Sequence, residues 1–188
     1  MIVLAYFTKD DFQQLIDWVQ DEELLMNWAG TQFRFPLNHD KLNWYIEDAN
    51  NFEKSSTLIY KAIDSNTGKT VGHISLSVIN RRNRSARITR ALVGNTAERG
   101  KGIGEGMMKA MLKIGFEELN LHRMSLGVYD FNEPAIKCYK KCGFHVDGVL
   151  RDIQKHKDQY WSLMEMSMLE NEYVNMPYIH QMQREQSL

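Results

Sequence analysis

The chain has 188 residues, 43% of them hydrophobic and 25% charged, with a formal net charge of −1 at pH 7. That length suits one domain around a single buried core. The balanced charge argues against nucleic acid or an anionic membrane surface as partner, and no apolar run approaches the roughly 20 residues of a membrane-spanning helix.

Residues 1–10 lack a basic leader followed by a long apolar segment, so they do not read as a secretory signal. Thr8, with Asp10 and Asp11 behind it, marks a helix start. Phe12, Leu15, Ile16 and Val19 then recur at helical spacing. A second short helix is expected from about Asp21, carrying Leu24, Leu25 and Trp28, followed by a loop over 29–36 that holds Gly30, Gln32, Phe33 and Phe35. Asn38 caps a third helix that runs through Leu42, Trp44, Tyr45 and Ile46 to about Asn50.

The texture then changes. Residues 57–64 and 70–80 read as strands joined by a Ser-Asn-Thr-Gly-Lys turn. The basic run Arg81-Arg82-Asn83-Arg84 sits among turn residues and reads as a solvated hairpin before a third strand over 86–93. A glycine-rich loop opens a helix over 102–118, whose Met107, Met108, Met111, Leu112 and Phe116 are core candidates. A strand over 122–128, a helix over 132–141 and a strand pair over 144–150 and 160–169 complete the pattern. Residues from Asn171 are polar and Met-rich without clear periodicity, a loose helix or an unstructured end. The fold class is therefore mixed α/β, one domain over 1–170 with a tail over 171–188. Cys138 and Cys142 match neither a redox pair nor a zinc ribbon, and the six histidines form no ligand set. Reduced thiols in a cytoplasmic protein, with no metal, are the expectation.

The informative segment is Glu98-Arg99-Gly100-Lys101-Gly102-Ile103-Gly104-Glu105-Gly106. Glycines between a strand and a helix let backbone amides approach a ligand that a β-carbon would block. Free N–H groups at a helix N-terminus then suit a pyrophosphate. A Walker A loop needs Ser or Thr after Gly-Lys, and Gly102 stands there. A dinucleotide fingerprint needs a third glycine where Glu105 stands. What remains is Arg/Gln-x-x-Gly-x-Gly, met by Arg99, Gly102 and Gly104; an ordinary glycine-rich turn would also satisfy the loop taken alone.

Further on, Asn132, Ala135, Tyr139, Gly143 and Phe144 closely resemble the N-x-x-A-x-x-x-Y-x-x-x-G-F pattern of the GNAT superfamily of N-acetyltransferases, at its usual distance beyond the loop. The run 147–152 and the Tyr160-bearing strand resemble the branch holding ribosomal-protein N-terminal and spermidine acetyltransferases. The resemblance is firm over 86–169 and less specific over 1–85.

It implies a mostly antiparallel sheet with helices on both faces, splayed between the strands ending at Val93 and near Val128. The pantetheine arm of acetyl-CoA would lie in that splay against the backbone of Leu92 and Val93. The stretch Arg99, Gly100, Lys101, Gly102, Ile103 and Gly104, with Glu105, would wrap the pyrophosphate. Asn132 would bond the arm, and Tyr139 would meet the thioester as general acid, though helix spacing also permits a core aromatic there. A phenol of pKa near 10 suits a departing thiolate of pKa about 8.5, and Val93 N–H could stabilise an oxyanion. The acceptor amine would lie among Trp28, Phe33, Phe35, Arg90 and Arg151, whose aromatics would equally serve as core.

No carboxylate stands in the strand over 86–93 to act as base. Arg90 stays protonated, and would either orient an acidic group of the acceptor or form a salt bridge. A relayed water, Glu22 or Glu23 would have to take the amine's proton, a lighter task for an α-amino group of pKa about 7.7–8.0. No dense acidic cluster of the kind polyamines call for is visible. A CoA-binding sensor without turnover is the alternative, and exposed sheet edges leave a homodimer open.

Overall fold

The computed structural model describes residues 1–95 and 100–176. Strand β1 (Ile2–Tyr6) leads into a 3-10 turn at Lys9–Asp11 and helix α1 (Phe12–Trp18). Thr8 and Asp11 cap that start, with Thr8 N–H donating to Asp11 Oδ2 at 2.8 Å. Helix α2 (Glu22–Ala29) begins where Asp21 Oδ1 accepts from Leu24 N–H at 2.7 Å. Helix α3 (His39–Ile46) begins where Asn38 Oδ1 accepts from Lys41 N–H at 3.0 Å. It stops short of the anticipated Asn50, because Glu47 turns extended and Asp48 and Asn50 are left-handed (φ 58° and 66°).

Strands β2 (Leu58–Asp64), β3 (Thr70–Asn80) and β4 (Ser85–Val93) form the meander. Helix α4 (Ile103–Lys113) widens into a π turn at Ile114–Glu118 before β5 (Arg123–Tyr129). Helix α5 (Glu133–Lys141), the hairpin β6 (His145–His156) and β7 (Gln159–Leu169), and the short α6 (Glu170–Val174) follow. One strand escaped the sequence reading and another, expected over 144–150, is longer than expected. β1 is too short for alternation to stand out, and it is fixed by antiparallel pairing with β2. β6 runs on to His156 because β7 pairs with it, although nearly all of it is exposed and so lacks a buried-face pattern.

The seven strands among the described residues lie in the order β1-β2-β3-β4-β5-β7-β6. Only β4 and β5 run parallel. One face carries Met107, Met108, Met111 and Leu112 of α4, packed on Met124, Leu126, Met166 and Met168. The other carries Phe7, Phe12, Leu15, Leu25, Trp28, Phe33 and Leu42 beneath α1–α3. Tyr173 of α6 is buried, stacks on Phe116 and donates to Glu117 Oε1 at 2.7 Å, so this first part of the tail packs on the domain.

Two irregularities open the sheet. β4 and β5 pair only from Ser85↔Arg123 to Ile88↔Leu126, after which β5 stays with β7 and β4 with β3. The second is a bulge in β4: His73 pairs with Leu92 but Ser75 with Thr89, so β4 holds an extra residue opposite Ile74. Arg90 takes the left-handed conformation there (φ 53°). Ala86 and Ile88 face the methionine core, and unbroken alternation would send Arg90 in after them. The bulge instead turns it to the α3 side, where it meets Ser75, Thr89 and the Tyr45 ring.

Candidate active site

A cavity of about 890 Å³ occupies the splay. Its walls are β4 from Arg87 to Val93, β5 from Leu126 to Tyr129, the end of α2, the start of α4 and the inner face of α5. Arg87 closes its base by reaching across β5 to β7, with two hydrogen bonds to Glu165 at 2.6 and 2.8 Å. A β-carbon at Gly127 would fall on the Arg87 guanidinium, so the glycine clears this crossing.

Gly94 N–H donates to Val71 O at 2.9 Å. Because antiparallel pairs alternate, Leu92 directs its backbone polar groups toward His73, and Val93 directs its own away from β3, into the splay. The two positions expected to offer backbone to a cofactor arm therefore divide. Val93 presents N–H and C=O, while Leu92 contributes its buried side chain.

At the mouth, Gly100 and Gly102 both have φ 82°, and a β-carbon at either would meet nothing within 4 Å. Glycine is thus set here by backbone conformation and not by crowding. Gly102 caps α4 and lines the cavity together with Ile103 and Gly104, where the helix leaves its first N–H groups without helical partners. Glu105 is otherwise employed: its carboxylate pairs with Lys109 at 2.8 Å and Lys141 at 2.6 Å, tying α4 to α5. Hydrogen bonds from Lys109 and Lys141 hold its carboxyl below the usual carboxylate range. Lys101 is exposed, and Arg99 lies outside the described residues.

On the far wall, Asn132 caps α5 through Oδ1, which accepts from Ala135 N–H at 3.3 Å, while its Nδ2 reaches Asn27 Oδ1 of α2 at 3.4 Å. Asn27 also lines the cavity and had no signal in the sequence. Tyr139 is half-buried on the inner face of α5, edge-on to Phe144, and its hydroxyl makes no hydrogen bond among the described residues. Burial pushes its phenol far above the usual range, so the proton stays on the oxygen at working pH. Cys138 lines the same wall and Cys142 is buried behind it.

The residues expected to form the acceptor pocket separate. Trp28 lines the splay cavity, and its indole N–H donates to Arg90 O at 2.8 Å, holding the bulge. Phe33 is only 6% exposed, stacked on Trp28 and edge-on to Tyr45, so it is core beneath the loop. Phe35 is 42% exposed and Arg151 lies exposed on β6; with Phe33, they line neither cavity. Glu22 and Glu23 are exposed in the first turn of α2, away from both cavities, which removes them as a base. Arg90 alone reaches a second cavity, of about 790 Å³, lined by Gln32, Trp44, Tyr45, Glu47 and the end of β3.

The acetyltransferase (GNAT) domain model matches residues 2–145. The chain belongs to this family. An uncharacterized N-acetyltransferase p20 of Bacillus licheniformis is 30% identical over 115 residues, covering 61% of this chain and 64% of that protein. The L-amino acid N-acetyltransferase AaaT of Escherichia coli K12 is 29% identical over 93 residues, covering 50% and 57%. The chain thus spans about three fifths of the length of these two relatives. In fold it is similar to the spermidine N-acetyltransferase from Vibrio cholerae in complex with CoA and spermine: TM-score 0.80, 21% identity, 93% of this chain and 98% of that one.

Proposed function

We propose that this GNAT protein transfers the acetyl group of acetyl-CoA to a primary amine. The observation that carries this is one cavity joining three features: a glycine cradle at the start of α4, an unpaired β4 edge at Val93, and the Tyr139 hydroxyl without a partner among the described residues. Gly100, Gly102 and the first N–H groups of α4 suit the pyrophosphate, and Val93 backbone suits the pantetheine amides. Arg99 would add its charge there. Asn132 keeps the start of α5 in place beside α2 and so sets the position of Tyr139.

In the reaction the amine nitrogen forms a bond to the thioester carbon, the carbon–sulfur bond breaks, and the sulfur leaves as thiolate. Val93 N–H meets the charge that develops on the carbonyl oxygen. Tyr139 serves as the donor to the leaving sulfur. With its proton held so firmly, hydrogen-bonding of the thiolate is the larger part of its work, and the amine's own proton passes to water. Holding amine and thioester together in a cavity closed at its base by Arg87 and Glu165 supplies much of the acceleration. A soluble enzyme of the cytoplasm fits this chemistry, and among the described residues no helix is long and apolar enough to cross a membrane.

Relatives act on acceptors as different as L-amino acids and spermidine by their names, so family membership leaves the acceptor open. The test is release of CoA thiol from acetyl-CoA with short peptides, polyamines, aminoglycosides and free amino acids, in wild type and Tyr139→Phe. Amine-dependent release that collapses in the variant is the expected result. CoA binding with no turnover of any amine would favour a sensor instead.

A further inference from the structure

Arg90 is the residue the proposed chemistry leaves unexplained. It lines both cavities, the splay beside Leu92 and Val93 and the second cavity beside Tyr45 and Ser77. Its Nη1 donates to Thr89 Oγ1 at 3.1 Å and Ser75 Oγ at 3.3 Å, with Ser77 Oγ at 3.5 Å. The Tyr45 ring lies 4.8 Å from its guanidinium carbon. Its Nε is enclosed without a partner. Every contact is with a neutral group: Arg90 forms no ion pair with a carboxylate among the described residues. His73, buried nearby, stays neutral, because burial first and Arg90 second push it down to about 3.

Arg90 is half-buried between the two cavities, and a guanidinium partly withdrawn from water with no anion beside it carries an unmatched charge. The backbone at this bulge is in the left-handed region, which turns the Arg90 side chain to the α3 side. The hydroxyl contacts and the Tyr45 ring hold the guanidinium in place, but none of them is an anion. A ligand with a negative group would supply the counter-charge that Arg90 lacks.

We infer that Arg90 binds a carboxylate of the acceptor, so that the substrate is an amine bearing a nearby carboxylate. This rests on the acetyl-transfer reading above and names its substrate class. Arg90 stands three residues before Val93 on β4, so the carboxylate would dock roughly 10 Å or less along the strand from the thioester end of the splay. The guanidinium is a planar fork suited to a carboxylate's two oxygens. A polyamine would bring like charge against it. Glu47 and Asp48 line the second cavity without pairing with Arg90, so the cavity shows both charge signs, as a zwitterion requires.

The test compares L-phenylalanine, L-methionine and L-threonine with their primary amides as acceptors, using full-length wild type, Arg90→Gln and Arg90→Lys. Amidation should lower wild-type kcat/KM by about 30-fold or more, equivalent to about 2 kcal/mol at 1.4 kcal/mol per decade. The amide's amine is the less basic, so the comparison works against this result. The discrimination should vanish in Arg90→Gln and be intermediate in Arg90→Lys, which keeps charge but loses the fork. Thermal unfolding checks that both variants fold, and if Arg90→Gln does not, wild type and Arg90→Lys decide. Turnover of acids and amides at equal efficiency, or discrimination that survives in Arg90→Gln, overturns the inference and leaves acetyl transfer standing. If no amine turns over, the acetyl-transfer reading fails, and binding settles the Arg90 inference. Titrations of the CoA-loaded protein, followed by tryptophan fluorescence from Trp28 and Trp44, should favour the acids in wild type only; equal binding of acid and amide overturns it.

Discussion

The two cavities that meet at Arg90 are built in different ways. The splay cavity is bounded largely by backbone: the glycine turn at Gly100 and Gly102, the start of α4 and the free edge at Val93. Those groups depend on local conformation, and a few residues close in sequence set them. The second cavity uses side chains from α3, β3 and β4, with Tyr45, Ser77 and Arg90 far apart in the chain. A cofactor common to a whole family suits the first kind of site. Acceptors that differ among relatives suit the second, where single substitutions change shape and charge while the sheet stays intact.

The contrast breaks most clearly at Tyr139. Tyr139→Phe should cut kcat by about 10²- to 10⁴-fold while the affinity for CoA, read by calorimetry, changes little. A large loss of CoA affinity would mean that the phenol binds more than it donates. Next in size is a stability effect on the acceptor side. Phe33→Ala should lower unfolding free energy by about 3–5 kcal/mol, whereas Phe35→Ala should stay within about 0.5 kcal/mol; chemical denaturation of the pair distinguishes core from pocket wall.

A smaller effect belongs to the glycine cradle. Gly102→Ala forces a side chain into a left-handed backbone at about 1–2 kcal/mol, which should weaken CoA binding by roughly 10-fold. Acid and amide acceptors should be affected alike, unlike at Arg90. The mildest tests are pH profiles. His73 is held neutral in the fold but takes a proton near 6.5 when unfolded, so the unfolded state binds more protons between pH 6.5 and about 3. Stability should therefore fall with falling pH in that window, by up to about 1.4 kcal/mol per unit from this one group. His73→Gln should flatten the corresponding slope in denaturation midpoints. On the alkaline side, the raised phenol of Tyr139 keeps its proton, so kcat should show no Tyr139-dependent decline up to pH 10.

Legibility in the sequence followed the same division. The caps at Thr8, Asp21 and Asn38, the β2–β3 hairpin and the opening of α4 were readable because each is decided within a few residues. The splay was anticipated through the family motif carried by Asn132 and Tyr139, and the truncated β4–β5 pairing bears it out. The acceptor side was read less well. Phe33 was grouped with Trp28 because both are aromatic and near in sequence, yet stacking fills the core with Phe33 and leaves Trp28 at the cavity wall. Arg151 was chosen from a strand whose exposed length gave no periodicity to place it.

Sequence by itself determined where the chain turns, caps and changes period, and which short runs match the family's motif, since those depend on neighbours along the backbone. Tertiary structure alone decided that β4 bulges at Arg90, that Asn27 meets Asn132, and that Arg87 crosses Gly127 to reach Glu165. These contacts join residues tens of positions apart, and their existence depends on how the strands pair and twist, which no local pattern encodes.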